Sequence, residues 1–321
     1  MQQVTIVGAG MMGASIAAVS AAAANRTVLV DLDRERADSA VANARRCIDQ
    51  MHSSGLVPCD RAEVAKKLLS AADSFETAVS GASLVIEAVP EQLRLKQNLF
   101  RTLDSLTDPT TTIASNTSGL RISEIAKDVQ YPERTATTHF WFPGHLVPLV
   151  EVVMGEHTSE ETTQTLRVTL LAWGKTPVVV RRDLPGQLAN RILQAIIREA
   201  VHIVETGLAS AEDVDTAIKA GMGLRFPVWG PLEHIDAVGL DLARAVQESV
   251  LPYLNNSTAP GTALTQRCEN GDLGWKTGTG FYDWSVKSKE SLSCIRDRFI
   301  PGAVALIRSL EGAGQPSPTA E

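Results

Sequence analysis

Residues 4–17 read VTIVGAGMMGASIA, in which a short apolar run is followed at once by glycines spaced as G-x-G-x-x-G. The residues after Gly13 are rich in alanine and favour a helix. A second apolar run, Thr27 to Val30, then ends at Asp31. This succession of strand, glycine turn, helix, strand and acid is the context that a dinucleotide-binding unit requires. The alternative is a glycine-rich turn that arose by chance.

Each glycine of this turn has a physical reason. Gly8 permits the tight turn, Gly10 lets the backbone approach a pyrophosphate, and Gly13 lets the helix pack closely on the strand. The N-terminus of the helix presents free N–H groups to the phosphates. Asp31 lies eighteen positions after Gly13, where an acid binds ribose hydroxyls and repels the 2′-phosphate of NADP. NAD is therefore the predicted cofactor. The residues predicted to hold it here are Gly8, Gly10, Met11, Met12, Gly13 and Asp31.

A second informative stretch is TATTHFWFPGHLVPLVEVV at residues 135–153. It predicts a strand ending at His139, a loop broken by prolines, and a second strand that is apolar except for Glu151. A buried acid is costly without a partner. If the two strands are neighbours, Glu151 can hold one imidazole nitrogen of His139 and leave the other as a general base. The alternative is that His139 caps a strand and Glu151 pairs with an arginine.

The order of predicted elements indicates an α/β fold with a Rossmann-type, doubly wound, mainly parallel sheet, followed by an all-α C-terminal domain. Polar residues fall at the ends of several predicted strands, which share one edge in such a sheet. We predict a NAD-binding Rossmann domain at residues 1–183, a helical substrate and dimerisation domain at 184–311, and a flexible tail at 312–321.

Composition limits the function classes. With 44% hydrophobic and 21% charged residues, the chain has the composition of a globular protein. A formal charge of −7 argues against a nucleic-acid partner. The four cysteines show no metal-binding spacing, so no metal is predicted, and they fit a reducing compartment. No apolar run reaches the roughly 18 residues that span a bilayer. We expect a cytoplasmic enzyme with a small-molecule substrate and no membrane partner.

Taken together, the motifs carry a family resemblance. The chain resembles the NAD-dependent L-3-hydroxyacyl-CoA dehydrogenases and their relatives that act on free 3-hydroxy acids, such as gulonate and carnitine dehydrogenases. The likeness runs over residues 3–285. The matching segments are VTIVGAGMMGASIA at 4–17, IEAVPEQLRLK at 86–96, SNTSGL at 115–120, HFWFP at 139–143, EVV at 151–153, GKTPVVV at 174–180, LPGQLANRI at 184–192, GPLEHIDAVGLD at 230–241 and WKTGTGFYDW at 275–284.

The resemblance implies four catalytic residues. It makes His139 the general base and Glu151 the carboxylate that orients it, while Ser118 and Asn190 hydrogen-bond the substrate oxygen. Two of these positions have simpler readings. Ser118 could be a helix N-cap, and Asn190 could satisfy a turn carbonyl.

The resemblance also implies further cofactor contacts. Glu91, Lys96 and Asn116 match residues that line the ribose and nicotinamide side of the cofactor. Lys96 could instead lie on a solvated helix face. A homodimer is implied by the family, and the apolar segment at 188–206 is consistent with a subunit interface.

Departures from the acyl-CoA pattern favour a free acid over a thioester. The family's usual Phe-Phe-Asn-Pro loop is Phe140-Trp141-Phe142-Pro143 here, so an amide is replaced by an apolar ring. Residues 51–60 carry no lysine or arginine to meet CoA phosphates. The predicted function is interconversion of an L-3-hydroxy acid and its 3-oxo acid. The alternatives are a 3-hydroxyacyl-CoA dehydrogenase, an NAD-binding structural protein with little turnover, and an aldehyde-oxidising relative acting on an aromatic ring. The aromatic residues that would suit such a ring, or plain packing, are Trp141, Phe142, Phe226 and Trp229.

Overall fold

One eight-stranded sheet organises the first half of the chain in the computed structural model, which describes residues 2–313. The order across the sheet is β3-β2-β1-β4-β5-β6-β7-β8. The strands are β1 (Gln3–Val7), β2 (Arg26–Val30), β3 (Leu69–Ala71), β4 (Leu84–Glu87), β5 (Thr112–Ser115), β6 (Thr135–Phe140), β7 (Leu149–Val153) and β8 (Thr176–Val180). All pairings are parallel except that of β6 with β7, so the carboxyl ends of β1, β2, β4, β5 and β6 share one edge.

Helices cover both faces of this sheet. They are α1 (Met11–Ala22), α2 (Arg34–Ser53), α3 (Cys59–Lys67), α4 (Phe75–Val79), α5 (Leu93–Leu106), α6 (Ile122–Ile125) and α7 (Glu160–Ala172). Successive strand residues point to opposite faces, and two buried clusters result. Ile6 belongs to the cluster that contains α1 and α2, whereas its neighbour Val7 belongs to the cluster that contains α5. The predicted doubly wound α/β fold is confirmed.

The remainder of the chain is helical. Its helices are α8 (Ala189–Glu205), α9 (Ala211–Ala217), α10 (Gly223–Arg225), α11 (Pro231–Val238), α12 (Leu240–Val250), α13 (Thr262–Glu269) and α14 (Lys289–Ala313). Contacts divide the chain into two compact units. One comprises residues 2–189 with 298–304, and the other comprises residues 190–297 with the described residues after 304. The predicted tail at 312–321 lies outside the described residues except for its first two positions, which end α14.

Some predicted boundaries are wrong. The stretch GMGLRFPVWGP at 221–231 is rich in glycine and proline and predicts a loop, but its first part is helical. A π-helical turn (Ile218–Met222) joins α9 to α10, and Gly223 keeps a helical φ of −60°. The sequence of residues 232–250 predicts a single helix, but the structure has two, α11 and α12, separated where Gly239 takes a φ of +102°. Two short elements, β3 and α4, and the longer α7 were not predicted.

Within residues 2–313, no helix is both long enough and apolar enough to cross a membrane.

Candidate functional site

The glycine turn between β1 and α1 has the geometry that its spacing predicts. Gly8 has a φ of +109°, and a Cβ there would lie 2.6 Å from the carbonyl oxygen of Ala88. A Cβ on Gly13 would lie 2.0 Å from the carbonyl oxygen of Gly8, which shows how closely the helix approaches the turn. A Cβ on Gly10 would meet no protein atom within 4 Å. Gly8 and Gly13 are therefore required by the fold, whereas the space beside Gly10 is open.

These residues fit a dinucleotide. Helix α1 has Gly10 as its N-cap residue, and no side chain caps its first turn. The first N–H groups of a helix have no partner within the helix, so those that follow Gly10 can bind phosphate oxygens. Met11 is 76% exposed and Met12 is half-buried at this helix end. At the end of β2, a carboxylate oxygen of Asp31 accepts the backbone N–H of Ala9 at 2.8 Å, which fixes the acid beside the turn.

Lys96 lies in a buried ion pair that its sequence pattern does not indicate. Its side chain is 1% exposed, and Nζ lies 2.5 Å from Oε1 of Glu87, which is fully buried at the end of β4. Glu87 also accepts hydrogen bonds from the Ser115 hydroxyl at 2.6 Å and the Val89 N–H at 2.7 Å. The alternative of a solvated helix face is therefore wrong for Lys96. The signal for Glu87 was present in the sequence, because it is one acid in the otherwise apolar run LVIEAV.

Glu91 anchors the loop that follows β5. Its Oε1 accepts the Thr117 hydroxyl at 2.6 Å and the backbone N–H groups of Ser118 and Gly119 at 3.0 Å each, and Nζ of Lys96 lies 3.3 Å from Oε2. Burial raises the pKa of Glu91, but the Thr117 hydrogen bond and the charge of Lys96 outweigh it, so the pKa lies below its usual value. Glu91 thus remains a carboxylate and holds the loop that carries Ser118.

Asn116 and Ser118 follow β5 directly. Oδ1 of Asn116 accepts the backbone N–H of Phe140 at 2.9 Å, so this side chain fixes the end of β6 beside His139. Ser118 is exposed, and its hydroxyl is not the cap of α6, whose N-cap residue is Arg121. The N-cap alternative for Ser118 is therefore wrong. Its predicted contact with a substrate oxygen stays a prediction.

His139 and Glu151 face each other across the antiparallel strands β6 and β7. They are paired residues in the strand register, and Nδ1 of His139 lies 2.7 Å from Oε2 of Glu151. His139 is 6% exposed and Glu151 is fully buried. The alternative pairing of Glu151 with an arginine is wrong, because its hydrogen bonds come from the groups described next.

Four donors converge on the carboxylate of Glu151. Oε1 accepts the backbone N–H groups of Leu188 at 3.0 Å and Ala189 at 2.9 Å, and Oε2 accepts the indole N–H of Trp141 at 3.0 Å besides the His139 contact. Burial raises the pKa of Glu151, but hydrogen bonds from His139, Ala189, Trp141 and Leu188 together lower it to about 2. The sequence predicts packing or contact with a substrate ring for Trp141, and it carries no signal for the hydrogen bond to Glu151.

The ionised carboxylate determines which imidazole nitrogen carries the proton. A carboxylate accepts but does not donate, so Nδ1 of neutral His139 is the protonated nitrogen. Nε2 then carries the lone pair and is the nitrogen that can accept a proton from a bound molecule. The pair has the arrangement of a general base with an orienting acid.

Asn190 is the second residue of α8 and is half-buried. It opens the second contact unit, directly after Ala189, whose N–H binds Glu151. Its predicted hydrogen bond to the substrate oxygen stays a prediction. Phe226 and Trp229, also of the second unit, are 46% and 44% exposed.

Comparison with known proteins agrees with this geometry. Residues 3–184 match the family model of the 3-hydroxyacyl-CoA dehydrogenase NAD binding domain, and residues 186–284 match that of the C-terminal domain. The chain is 34% identical over 314 residues to the 5-formyl-3-hydroxy-2-methylpyridine 4-carboxylate 5-dehydrogenase of Mesorhizobium japonicum, covering 97% of this chain and 99% of the relative. It is 35% identical over 290 residues to the mitochondrial hydroxyacyl-coenzyme A dehydrogenase of Homo sapiens, covering 88% of this chain and 91% of that relative.

A solved structure is similar over the same length. A crystal structure of 5-formyl-3-hydroxy-2-methylpyridine 4-carboxylic acid 5-dehydrogenase, described as an NAD⁺-dependent dismutase, superposes with a TM-score of 0.88 at 32% identity. The similarity covers 96% of this chain and 99% of that one. Both halves of the chain match the family models, and the turn before α1 fits the dinucleotide that the family uses. The chain is therefore an NAD-dependent oxidoreductase that belongs to the 3-hydroxyacyl-CoA dehydrogenase family.

Proposed function

We propose that the protein is a dehydrogenase in which His139 is the general base and Glu151 orients it. The observation that carries this proposal is the 2.7 Å contact between Nδ1 of His139 and Oε2 of a fully buried Glu151. An imidazole held in this way presents Nε2 as a base, and its protonated form is stabilised by the neighbouring negative charge.

The chain's own residues then have separate tasks. Nε2 of His139 takes the proton of the substrate hydroxyl as the carbon–oxygen double bond forms. Ser118 and Asn190 hold that oxygen, so that the reacting carbon has one orientation. The Gly10 turn and Asp31 hold NAD, which when bound accepts the hydride that leaves the carbon. One hydroxyl proton and one hydride leave the substrate, so the reaction is a two-electron oxidation.

We propose that the substrate is a small free acid rather than a CoA thioester. Phe142 is 51% exposed in the loop after β6, where the related loop has an amide, so this loop presents an apolar ring. The segment of residues 51–60, at the end of α2 and before Arg61, offers no cation to the phosphates of CoA. The alternative of a CoA thioester is supported by the human relative at 35% identity.

A second candidate is oxidation of an aldehyde on an aromatic ring. A relative that matches 97% of this chain is named as a dehydrogenase of a formyl-pyridine carboxylate, which is itself a free acid. In the hydrated aldehyde, His139 would take a hydroxyl proton while the hydride leaves the same carbon, giving the carboxylic acid. Trp141 supplies an aromatic ring beside His139, and the half-exposed ring of Phe142 follows it in the loop after β6.

We also propose that the protein is a homodimer. None of the residues from 190 to 300 is buried within the single chain. Helix α12 exposes an apolar stripe at i, i+4 and i+8, in which Leu242, Val246 and Val250 are 54%, 52% and 44% exposed. Exposed apolar area of this kind is typical of a protein–protein interface. In this proposal, that surface is a second copy of the chain.

The variant His139→Ala tests the proposed base. Turnover should fall by roughly 10²–10⁴-fold, the range for loss of a general base, while NAD binding changes little. Steady-state rates and NAD titration by fluorescence would measure both. Arg181→Ala, a change in an exposed ion pair with Glu160, is a control that should leave both unchanged. Turnover of the His139 variant at the level of the parent protein would refute the mechanism.

A further inference from the structure

Trp141 contacts both members of the histidine–glutamate pair. Its indole N–H donates to Oε2 of Glu151 at 3.0 Å, the same oxygen that lies 2.7 Å from Nδ1 of His139. Its ring also lies beside the imidazole, with centroids 5.8 Å apart and planes at 57°. Trp141 is the first residue after β6, so the strand that positions His139 also positions the indole.

The indole fills the last acceptor position of the carboxylate. A carboxylate offers about four lone-pair positions. Two backbone N–H groups, from Leu188 and Ala189, hold Oε1, and the imidazole and the indole hold Oε2. Because Glu151 is fully buried, water does not replace a missing donor without rearrangement. With all four donors in place, the carboxylate plane is fixed and so is the direction from which it meets His139.

We propose that Trp141 is a positioning residue of this site, whose indole N–H fixes Oε2 of Glu151 and whose ring limits rotation of the His139 imidazole. This proposal rests on the proposed role of His139 as the base. The related loop carries phenylalanine where this chain has Trp141, and phenylalanine can supply the packing but not the N–H.

The variant Trp141→Phe removes the donor and keeps an aromatic ring. We expect kcat to fall about tenfold, which corresponds to loss of one hydrogen bond to a charged group, with the KM for substrate and the Kd for NAD within about twofold of the parent values. The solvent deuterium isotope effect on kcat should rise, since a misaligned base makes proton transfer more rate-limiting. The matched control is Trp173→Phe, which removes a tryptophan at the end of α7. It should leave both kcat and the solvent isotope effect unchanged.

A second measurement detects the contact without catalysis. The chain has five tryptophans, and the missing indole N–H signal in the nitrogen–proton correlation spectrum of Trp141→Phe identifies that of Trp141. In Glu151→Gln this signal should move upfield, because the charged acceptor is gone, while the other four report that the fold is kept.

Two outcomes overturn the proposal alone. One is an indole signal that does not respond to Glu151→Gln, and the other is unchanged kcat and isotope effect in Trp141→Phe while His139→Ala is inactive. Parent-level turnover of His139→Ala would overturn the proposed function as well, and the indole shift would still report whether the contact exists.

Discussion

Glu151 carries a negative charge in the interior of the sheet. Its four hydrogen-bond donors stabilise this charge. The pKa of Glu151 is lowered from 4.5 to about 2 in the folded protein. A lowered carboxyl pKa stabilises the folded state above the unfolded-state value, and this contribution is lost as the pH falls from about 4.5 towards 2. The contribution is on the order of 3 kcal/mol.

The variant Glu151→Gln should therefore differ most from the parent protein at neutral pH. Its amide cannot accept all four donors, so the free energy of unfolding should be lower at pH 7, and the difference should narrow as the pH falls below 4.5. Urea unfolding at a series of pH values measures this, with Glu161→Gln, an exposed carboxylate, as the control. A difference that is the same at pH 7 and pH 3 would contradict the burial argument.

We predict that Asp31 sets the preference for NAD over NADP. Removing its carboxylate in Asp31→Ala should weaken NAD binding and reduce discrimination against NADP, because the charge that repels the 2′-phosphate is gone. The Kd values of NAD and NADP, measured for the variant and the parent protein, would test both effects. Asp33→Ala, which removes the N-cap of α2 nearby, controls for a general effect on this loop. An unchanged ratio of the two Kd values would rule out the ribose assignment.

The residues of the site differ in how far the sequence could predict them. The contact between His139 and Glu151 could be predicted, because a strand–loop–strand pattern places a lone acid opposite a lone histidine, and the two residues pair in the strand register. Glu87 stands out as a lone acid in an apolar run, but its pairing with Lys96 could not be predicted, because Lys96 approaches from a helix whose orientation no local pattern gives. Trp141 was visible as an aromatic residue, but the target of its N–H depends on the side-chain direction.

At the scale of elements, the turn before α1 allows the fold and the cofactor to be tested separately. Gly13→Ala would place a Cβ 2.0 Å from the Gly8 carbonyl oxygen, so it should lower the melting temperature and NAD affinity together. Gly10→Ala meets no protein atom within 4 Å, so it should keep the melting temperature and lose NAD affinity. Thermal unfolding and NAD titration would measure both. Full NAD affinity in Gly10→Ala would contradict the placement of the pyrophosphate beside this residue.

Elements with strong patterns were predicted and those with mixed signals were not. Helix α7 has the sequence EETTQTLRVTLLA, whose threonines lower helix propensity, yet Ser159 caps it and Leu166 and Leu170 are buried beneath it. Strand β3 is three residues long and exists through its pairing with β2. The glycines at 221 and 223 predicted a loop, but glycine permits a turn without requiring one, and the backbone there stays helical.

At the scale of the whole molecule, none of the residues from 190 to 300 is buried within the single chain, which is the basis of the proposed dimer. The variant Val246→Asp places a charge in the exposed stripe of α12, so it should shift the protein from dimer to monomer and lower the melting temperature. Gln247→Asp places the same charge one residue away, beside the Arg244–Glu248 ion pair, and should do neither. Light scattering coupled to size exclusion gives the mass. A parent protein that is monomeric at micromolar concentration would contradict the dimer.

The choice between a free acid and a CoA thioester depends on the molecule as a whole, and one measurement tests it directly. The formation of NADH would be compared for L-3-hydroxybutyryl-CoA, free L-3-hydroxybutyrate, L-gulonate, L-carnitine and 5-formyl-3-hydroxy-2-methylpyridine 4-carboxylate, with His139→Ala as the blank for each. We predict that one of the four free acids has a higher kcat/KM than the thioester and that its turnover depends on His139. A kcat/KM at least about tenfold higher for the thioester, equivalent to about 1.4 kcal/mol, would contradict the free-acid assignment and place the enzyme with the acyl-CoA dehydrogenases of its family.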